Sequence, residues 1–210
     1  MTTATVLLEG LAFGEGPRWR DGRLWFSDFY RHAVYTVTED GTETKVVDVP
    51  TQPSGLGWLP DGRLLISSMT DRKVLRLEAD GSLAEHADLS GLAGFHVNDL
   101  LADASGRAYV GNFGYDLHGD MHTRDIPTIL ADASAGNTVL SLVAPDGSVS
   151  VAADDVRFPN GTATVETSQP VFACALGGGD GRTLFAMTAP ESDPAVVDGK
   201  ALGKIEVARV

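Results

Sequence analysis

Short apolar runs alternate with glycine-containing turns along the chain, and this pattern predicts β-strands and no long helix. An Asp-Gly-Arg or Ser-Gly-Arg turn followed by an apolar strand recurs at 21–28, 61–68, 105–112 and 180–187. The first three of its glycines lie 40 and 44 residues apart, which is the spacing of four-stranded propeller blades. Further Asp-Gly turns separate these units, at 40–41, 80–81 and 146–147. The sequence therefore predicts an all-β protein, a β-propeller.

The net charge of the chain limits the kinds of molecule that we expect it to bind. The 210 residues carry a formal net charge of −13, which argues against nucleic acid and against an anionic membrane as partners. No apolar stretch approaches the roughly 20 residues of a membrane-spanning helix. An acidic surface mainly confers solubility, and binding of a cation is the second interpretation. The oligomeric state is left open.

The cysteine content and the first residues of the chain indicate the cellular compartment. Cys174 is the only cysteine, so the chain has no intrachain disulfide. The start, Met1 to Ala4, lacks the charged and apolar regions of a secretory signal. We expect a cytoplasmic protein.

Polar residues occur in the segments that lead into the predicted first strand of each blade. These segments are 14–17, 52–55, 96–99 and 158–161. Glu15, Asn98 and Asn160 supply side-chain oxygens. Oxygen ligands of this type bind calcium in preference to zinc or copper. Equivalent loops of a propeller gather at one mouth of its channel, so these side chains are predicted to converge. Taken singly, each asparagine is also an ordinary turn residue, and only the shared place in the repeat favours a site.

The ordered motifs resemble the senescence-marker-protein-30 (SMP-30)/gluconolactonase/LRE-like family, which includes regucalcin-like proteins. They are Gly-Glu-Gly-Pro-Arg-Trp at 14–19, Val-Asn-Asp at 97–99 and Phe-Pro-Asn-Gly at 158–161. Residues 172–178 and 183–185 resemble the final blade of bacterial members. The resemblance implies a six-bladed propeller that binds a divalent cation, most often Ca²⁺, and hydrolyses lactones, often sugar lactones. Zn²⁺ and Mg²⁺ are the alternative ions.

Residue by residue, the resemblance implies roles for the polar positions. Glu15 and Asn160 match metal ligands, and Asn98 matches an asparagine beside the metal that also contacts substrate. His96 stands where some members have a substrate-binding arginine, and Asp116 where they have a substrate-binding glutamate. A solvated loop aspartate is an equal interpretation of Asp116.

The chain also departs from the family pattern. No Pro-Asp-Gly motif follows Asn160, so the family aspartate that serves as metal ligand and general base is absent. Asp99 and Asp116 are the weak candidates that remain for the base. The sequence passes through 162–170 directly into what resembles the last blade, which indicates an internal deletion near this junction.

The deletion shapes the expected fold. We count about 17 strands, against roughly 24 for six complete blades. Seventeen is not a multiple of four, so we expect one incomplete propeller domain over 1–210 with unpaired strand edges.

Two functions follow. The first is calcium-dependent hydrolysis of a small-molecule lactone, as in gluconolactonases. The alternative is a catalytically impaired or non-catalytic propeller remnant that binds a small ligand or a protein.

Overall fold

The structure is a computed structural model of the chain. It describes residues 5–125, 128–129, 137–156, 168–169, 171–179, 183–190 and 192–209. The described strands form four four-stranded antiparallel sheets of propeller-blade type. The short helices α1 (Leu117–Met121) and α2 (Pro194–Val197) lie in connections between strands. None of the described helices is long and apolar enough to cross a membrane.

Each blade is a meander of neighbouring strands. Blade 1 contains β2 (Gly14–Arg20), β3 (Arg23–Asp28), β4 (Ala33–Val37) and β5 (Glu43–Asp48). Blade 2 contains β6 (Pro53–Trp58), β7 (Leu64–Ser68), β8 (Lys73–Leu77) and β9 (Leu83–Asp88). Blade 3 contains β10 (Val97–Ala102), β11 (Ala108–Asn112), β12 (Thr138–Val143) and β13 (Val149–Val156). Blade 4 contains β14 (Val171–Gly177), β15 (Thr183–Thr188), β16 (Gly203–Arg209) and β1 (Thr5–Leu11), in that order.

Blade 4 joins distant parts of the sequence. Its outer strand is β1, which pairs antiparallel with β16 from Thr5 opposite Val207 to Leu11 opposite Gly203. This pairing covers the edge of β16 that would otherwise be exposed. The sequence pattern does not predict this pairing.

The described part of the structure has four blades, fewer than the six that the resemblance implied for a complete member, and this agrees with the expected incomplete propeller. The described residues form sixteen strands, against our count of about seventeen for the whole chain. All sixteen belong to complete four-stranded sheets, so the expected unpaired blade fragment does not occur among them. The strand expected to start at Gly161, and most of the predicted junction, lie outside the described residues.

The chain divides into two compact units. One comprises Met1–Leu56 with Gly161–Val210, and the other comprises Gly57–Asn160. Each unit has its own apolar cluster. Leu24, Phe26 and Phe185 belong to the cluster of the first unit, and Leu65, Leu100 and Val110 to that of the second. The single propeller domain over 1–210 stays a prediction.

A buried histidine lies on β9 in the second unit. His86 is only 8% exposed, and Nη1 of Arg76 lies 3.2 Å from its Nδ1. Burial lowers the pKa of His86, and the nearby charges of Arg76 and Arg63 lower it further, against the Ala144 backbone and the Asp146 carboxylate. The folded protein therefore binds a proton at His86 less readily than the unfolded chain does.

This histidine predicts a loss of stability in mild acid. The unfolded chain takes up a proton near the usual pKa of 6.5, while the folded chain resists it, so the free energy of unfolding falls as pH drops below about 6.5. One such group contributes at most about 1.4 kcal/mol per pH unit. Urea unfolding of the wild type and His86→Gln between pH 7.5 and 5.5 measures this slope. A slope unchanged by the substitution would contradict the assignment. His96, whose pKa is also lowered, contributes to the slope in both proteins and therefore cancels in the comparison.

Candidate functional site

The first strands of the blades place one residue at equivalent positions. The second residues of β2, β6, β10 and β14 are Glu15, Ser54, Asn98 and Phe172. In blades 1, 3 and 4 the pairing with the next strand shifts register at this residue or directly after it. Register shifts of this kind change the direction of side chains and are common beside active sites. The repeat thus presents a carboxylate, a hydroxyl and an amide at corresponding points of blades 1, 2 and 3.

Glu15 is the carboxylate of this set. Its exposed fraction is 9%, and the backbone N–H of Gly16 donates a hydrogen bond to Oε2 over 3.3 Å. Gly16 adopts a left-handed φ of +56°. A buried carboxylate oxygen of this kind is a hard ligand suited to Ca²⁺.

Asn98 is the amide of the set and carries an unsatisfied atom. It is 5% exposed, and its Oδ1 has no hydrogen-bond partner among the described residues. A buried acceptor without a partner costs about 1–3 kcal/mol, which a bound cation or a donor on a ligand would offset. The residues therefore fit a divalent cation in their chemistry.

Two serines that the sequence motifs left unassigned form hydrogen bonds to the backbone at the site positions. Ser27 Oγ donates to the Ser54 carbonyl and lies 3.1 Å from the Glu15 carbonyl oxygen. Ser67 Oγ donates to the Asn98 carbonyl. Both serines are the next-to-last residue of the second strand in their blade. Their shared place in the repeat, Phe-Ser-Asp at 26–28 and Ile-Ser-Ser at 66–68, was the available sequence signal.

His96 lies directly before β10, between aromatic rings. It stacks on Phe95 with ring centroids 4.1 Å apart, and its centroid lies 6.3 Å from that of Phe113. Burial lowers the pKa of His96, His118 and Arg72 lower it further, and Asp116 opposes them. Nδ1 of His96 is buried and has no hydrogen-bond partner in the described part of the chain.

The two candidate bases differ in environment. Asp99 is half-buried in β10, next to Asn98. Asp116 is exposed and caps α1, because its Oδ1 accepts a hydrogen bond from the Gly119 N–H over 2.8 Å. Both interpretations of Asp116, as a loop residue and as a substrate-binding residue, stay predictions.

The structure groups only some of the predicted residues. His96, Asn98, Asp99 and Asp116 belong to the unit Gly57–Asn160, and Glu15 to the other. Asn160 lies outside the described residues. Among the residues that are described, no group of three or more His, Cys, Asp or Glu side chains could hold a metal ion. Convergence of Glu15, Asn98 and Asn160 therefore stays a prediction.

Solved structures share the fold. A candidate gluconolactonase from structural genomics aligns with a TM-score of 0.69 and 16% identity, covering 99% of this chain and 92% of its own. A gluconolactonase from Xanthomonas campestris gives 0.55 and 22%, covering 91% and 59%. Regucalcin from Agrobacterium tumefaciens strain C58, described as a calcium-binding protein, gives 0.55 and 23%, covering 98% and 62%. The chain thus spans about three fifths of the latter two proteins.

No curated protein matches the chain. The model of the SMP-30/gluconolactonase/LRE-like region matches residues 13–173, well over half of the sequence. This match confirms the resemblance drawn from the motifs. The chain belongs to the SMP-30/gluconolactonase/LRE-like family.

Proposed function

We propose that this protein is a lactone hydrolase of gluconolactonase type that depends on a divalent cation, with Ca²⁺ as the first choice. Membership of the family supports a lactonase-like activity. The observation that carries the proposal is the buried Oδ1 of Asn98, which has no hydrogen-bond partner in the part of the chain that the structure describes. Asn98 holds the strand position in blade 3 that Glu15 holds in blade 1.

The proposed roles follow from the chemistry of the side chains. Glu15, Asn98 and Asn160 would supply oxygen ligands, and Ser67 fixes the backbone of Asn98 so that its amide stays in place. A bound divalent cation supplies polarisation of a lactone carbonyl and stabilises the negative charge that develops on its oxygen.

Asp99 is the better of the two candidates for the general base. A base must take a proton from water that attacks the carbonyl. Asp99 is half-buried and adjacent to Asn98, whereas Asp116 is exposed and its Oδ1 accepts the helix-capping hydrogen bond. Asp99→Asn is therefore expected to lower kcat more than Asp116→Asn does.

One observation favours a second candidate function, a ligand-binding propeller without catalysis. Blades 2 and 4 place Ser54 and Phe172 where blades 1 and 3 place Glu15 and Asn98. Fewer charged ligands weaken calcium, which prefers six to eight oxygens. This alternative predicts ligand binding with no lactone opening.

Thermal unfolding with and without calcium tests the metal site. A ligand that binds only the folded state stabilises it, by about 2.7 kcal/mol at 100 times its Kd. We expect Ca²⁺ to raise the Tm of the wild type and to leave that of Glu15→Gln unchanged. Glu9→Gln is the matched control, because Glu9 loses the same charge from an exposed side chain. Equal calcium responses in wild type and Glu15→Gln would remove Glu15 from the site.

A further inference from the structure

Aromatic rings surround the start of β10 in the second unit. Phe95 and His96 stack with an interplanar angle of 24°. Phe113 lies edge-on to His118 with centroids 6.0 Å apart, and its backbone N–H donates to the His96 carbonyl over 3.0 Å. The segment before β10 and the segment after β11 are therefore held together, and each contributes rings.

The rings of the cluster differ in burial. Phe95, His96 and His118 are each half-buried, while Phe113 is only 6% exposed and lies against the rings of His96 and His118. Half-buried rings that already stack on one another present a flat apolar surface, and a further ring can stack on such a surface or meet it edge-on.

Two charged side chains near the cluster, Arg72 and Asp116, are already engaged by backbone groups. The Nη1 of Arg72 donates to the Ala93 carbonyl over 3.3 Å, and Oδ1 of Asp116 accepts from Gly119. A charged ligand gains little from such a pair. Nδ1 of His96, which is buried and has no partner among the described residues, is left as a polar anchor for one ligand atom.

We propose that Phe95, His96, Phe113 and His118 form a binding surface for an uncharged apolar or aromatic ring, so that the substrate is a lactone bearing such a ring. A polyhydroxylated sugar ring fits this surface poorly, because hydroxyl groups that lose water need hydrogen-bond partners, and Nδ1 of His96 is the one buried, unpaired side-chain atom that the described residues of the cluster offer. The substrate class rests on the proposed function, whereas ring binding does not.

Binding of chroman tests the surface without any chemistry. Chroman has a benzene ring fused to a cyclic ether and no lactone carbonyl, so its binding can be measured by calorimetry with chelator present. We expect saturable binding at least tenfold tighter than that of glucose, and a loss of tenfold or more in Phe95→Ala. Leu101→Ala, which removes a 61% exposed apolar side chain of the same blade, is expected to bind as the wild type does. Phe95→Tyr, which keeps the ring, is expected to lose far less affinity than Phe95→Ala.

A second measurement uses only the wild type, so its result does not depend on whether the variants fold. Nuclear Overhauser effects are expected between chroman protons and the ring protons of Phe95 and His96. Glucose binding as tightly as chroman, equal losses in Phe95→Ala and Leu101→Ala, or no Overhauser contacts to these rings would each overturn the proposal. Chroman binding in a protein that opens no lactone would sustain the ring surface and reject the proposed hydrolase.

Discussion

Replacing Gly16 by alanine is expected to destabilise the protein by roughly 3 kcal/mol or more, because two separate costs coincide there. Its φ is +56°, a conformation that costs an L-residue about 1–2 kcal/mol. A Cβ on Gly16 would also lie 2.3 Å from the Ser54 carbonyl oxygen, and a backbone atom has little freedom to move away. Since Gly16 follows Glu15 directly, the calcium response should be lost as well.

Two other glycines separate the contributions. Gly22 has a φ of +73° with nothing within 4 Å of an added Cβ, so Gly22→Ala should show the conformational cost alone. Gly91 has neither a positive φ nor a near neighbour, so Gly91→Ala should be neutral or slightly stabilising. Urea unfolding of the three variants measures the series. If Gly16→Ala were no less stable than Gly22→Ala, the close approach of Gly16 to Ser54 would be wrong.

Removing the Asp28 carboxylate is the second change with a large expected effect. Asp28 is fully buried at the end of β3 and accepts hydrogen bonds from the backbone N–H groups of Ala12, Phe13 and Arg31 at 2.9, 3.0 and 3.2 Å. Burial raises its pKa in spite of these three donors and the Arg31 charge. The carboxylate thus fixes the connection between β1 and β2, which leads to Glu15.

Asp28→Ala leaves three donors without their acceptor and should cost roughly 3 kcal/mol or more in the free energy of unfolding. Asp28→Asn keeps one acceptor oxygen and should cost less. The matched control is Asp48→Ala, because Asp48 is 67% exposed and its ion pair with Lys45 is worth at most about 1 kcal/mol. Chemical denaturation compares all three, and similar losses for Asp28→Ala and Asp48→Ala would contradict this role.

The repeat made much of the fold predictable. The Asp-Gly-Arg and Ser-Gly-Arg turns predicted the second strand of every blade, and β3, β7, β11 and β15 all begin within two residues of the turn glycine. Local pattern is sufficient there, because a tight turn followed by apolar residues favours a hairpin in any context.

Long-range pairing was not predictable in the same way. The sequence of β1 does not indicate that it pairs with β16, almost 200 positions away. The same limit applies to Asp28, whose acceptor role depends on backbone N–H groups 15 and 16 residues earlier in the chain. Glu15 and Asn98 could be predicted as site residues because they occupy equivalent positions in the repeat. Ser27 and Ser67 also share a repeat position, but they were not predicted to belong to the site.

Hydrolysis of a small lactone panel, with calcium and then with chelator, tests the central claim most directly. The panel should contain dihydrocoumarin and glucono-δ-lactone, and the sample should first be shown to be folded by circular dichroism. The account predicts calcium-dependent opening that chelator abolishes and Glu15→Gln greatly reduces. A folded sample that opens no lactone above the uncatalysed rate would contradict it.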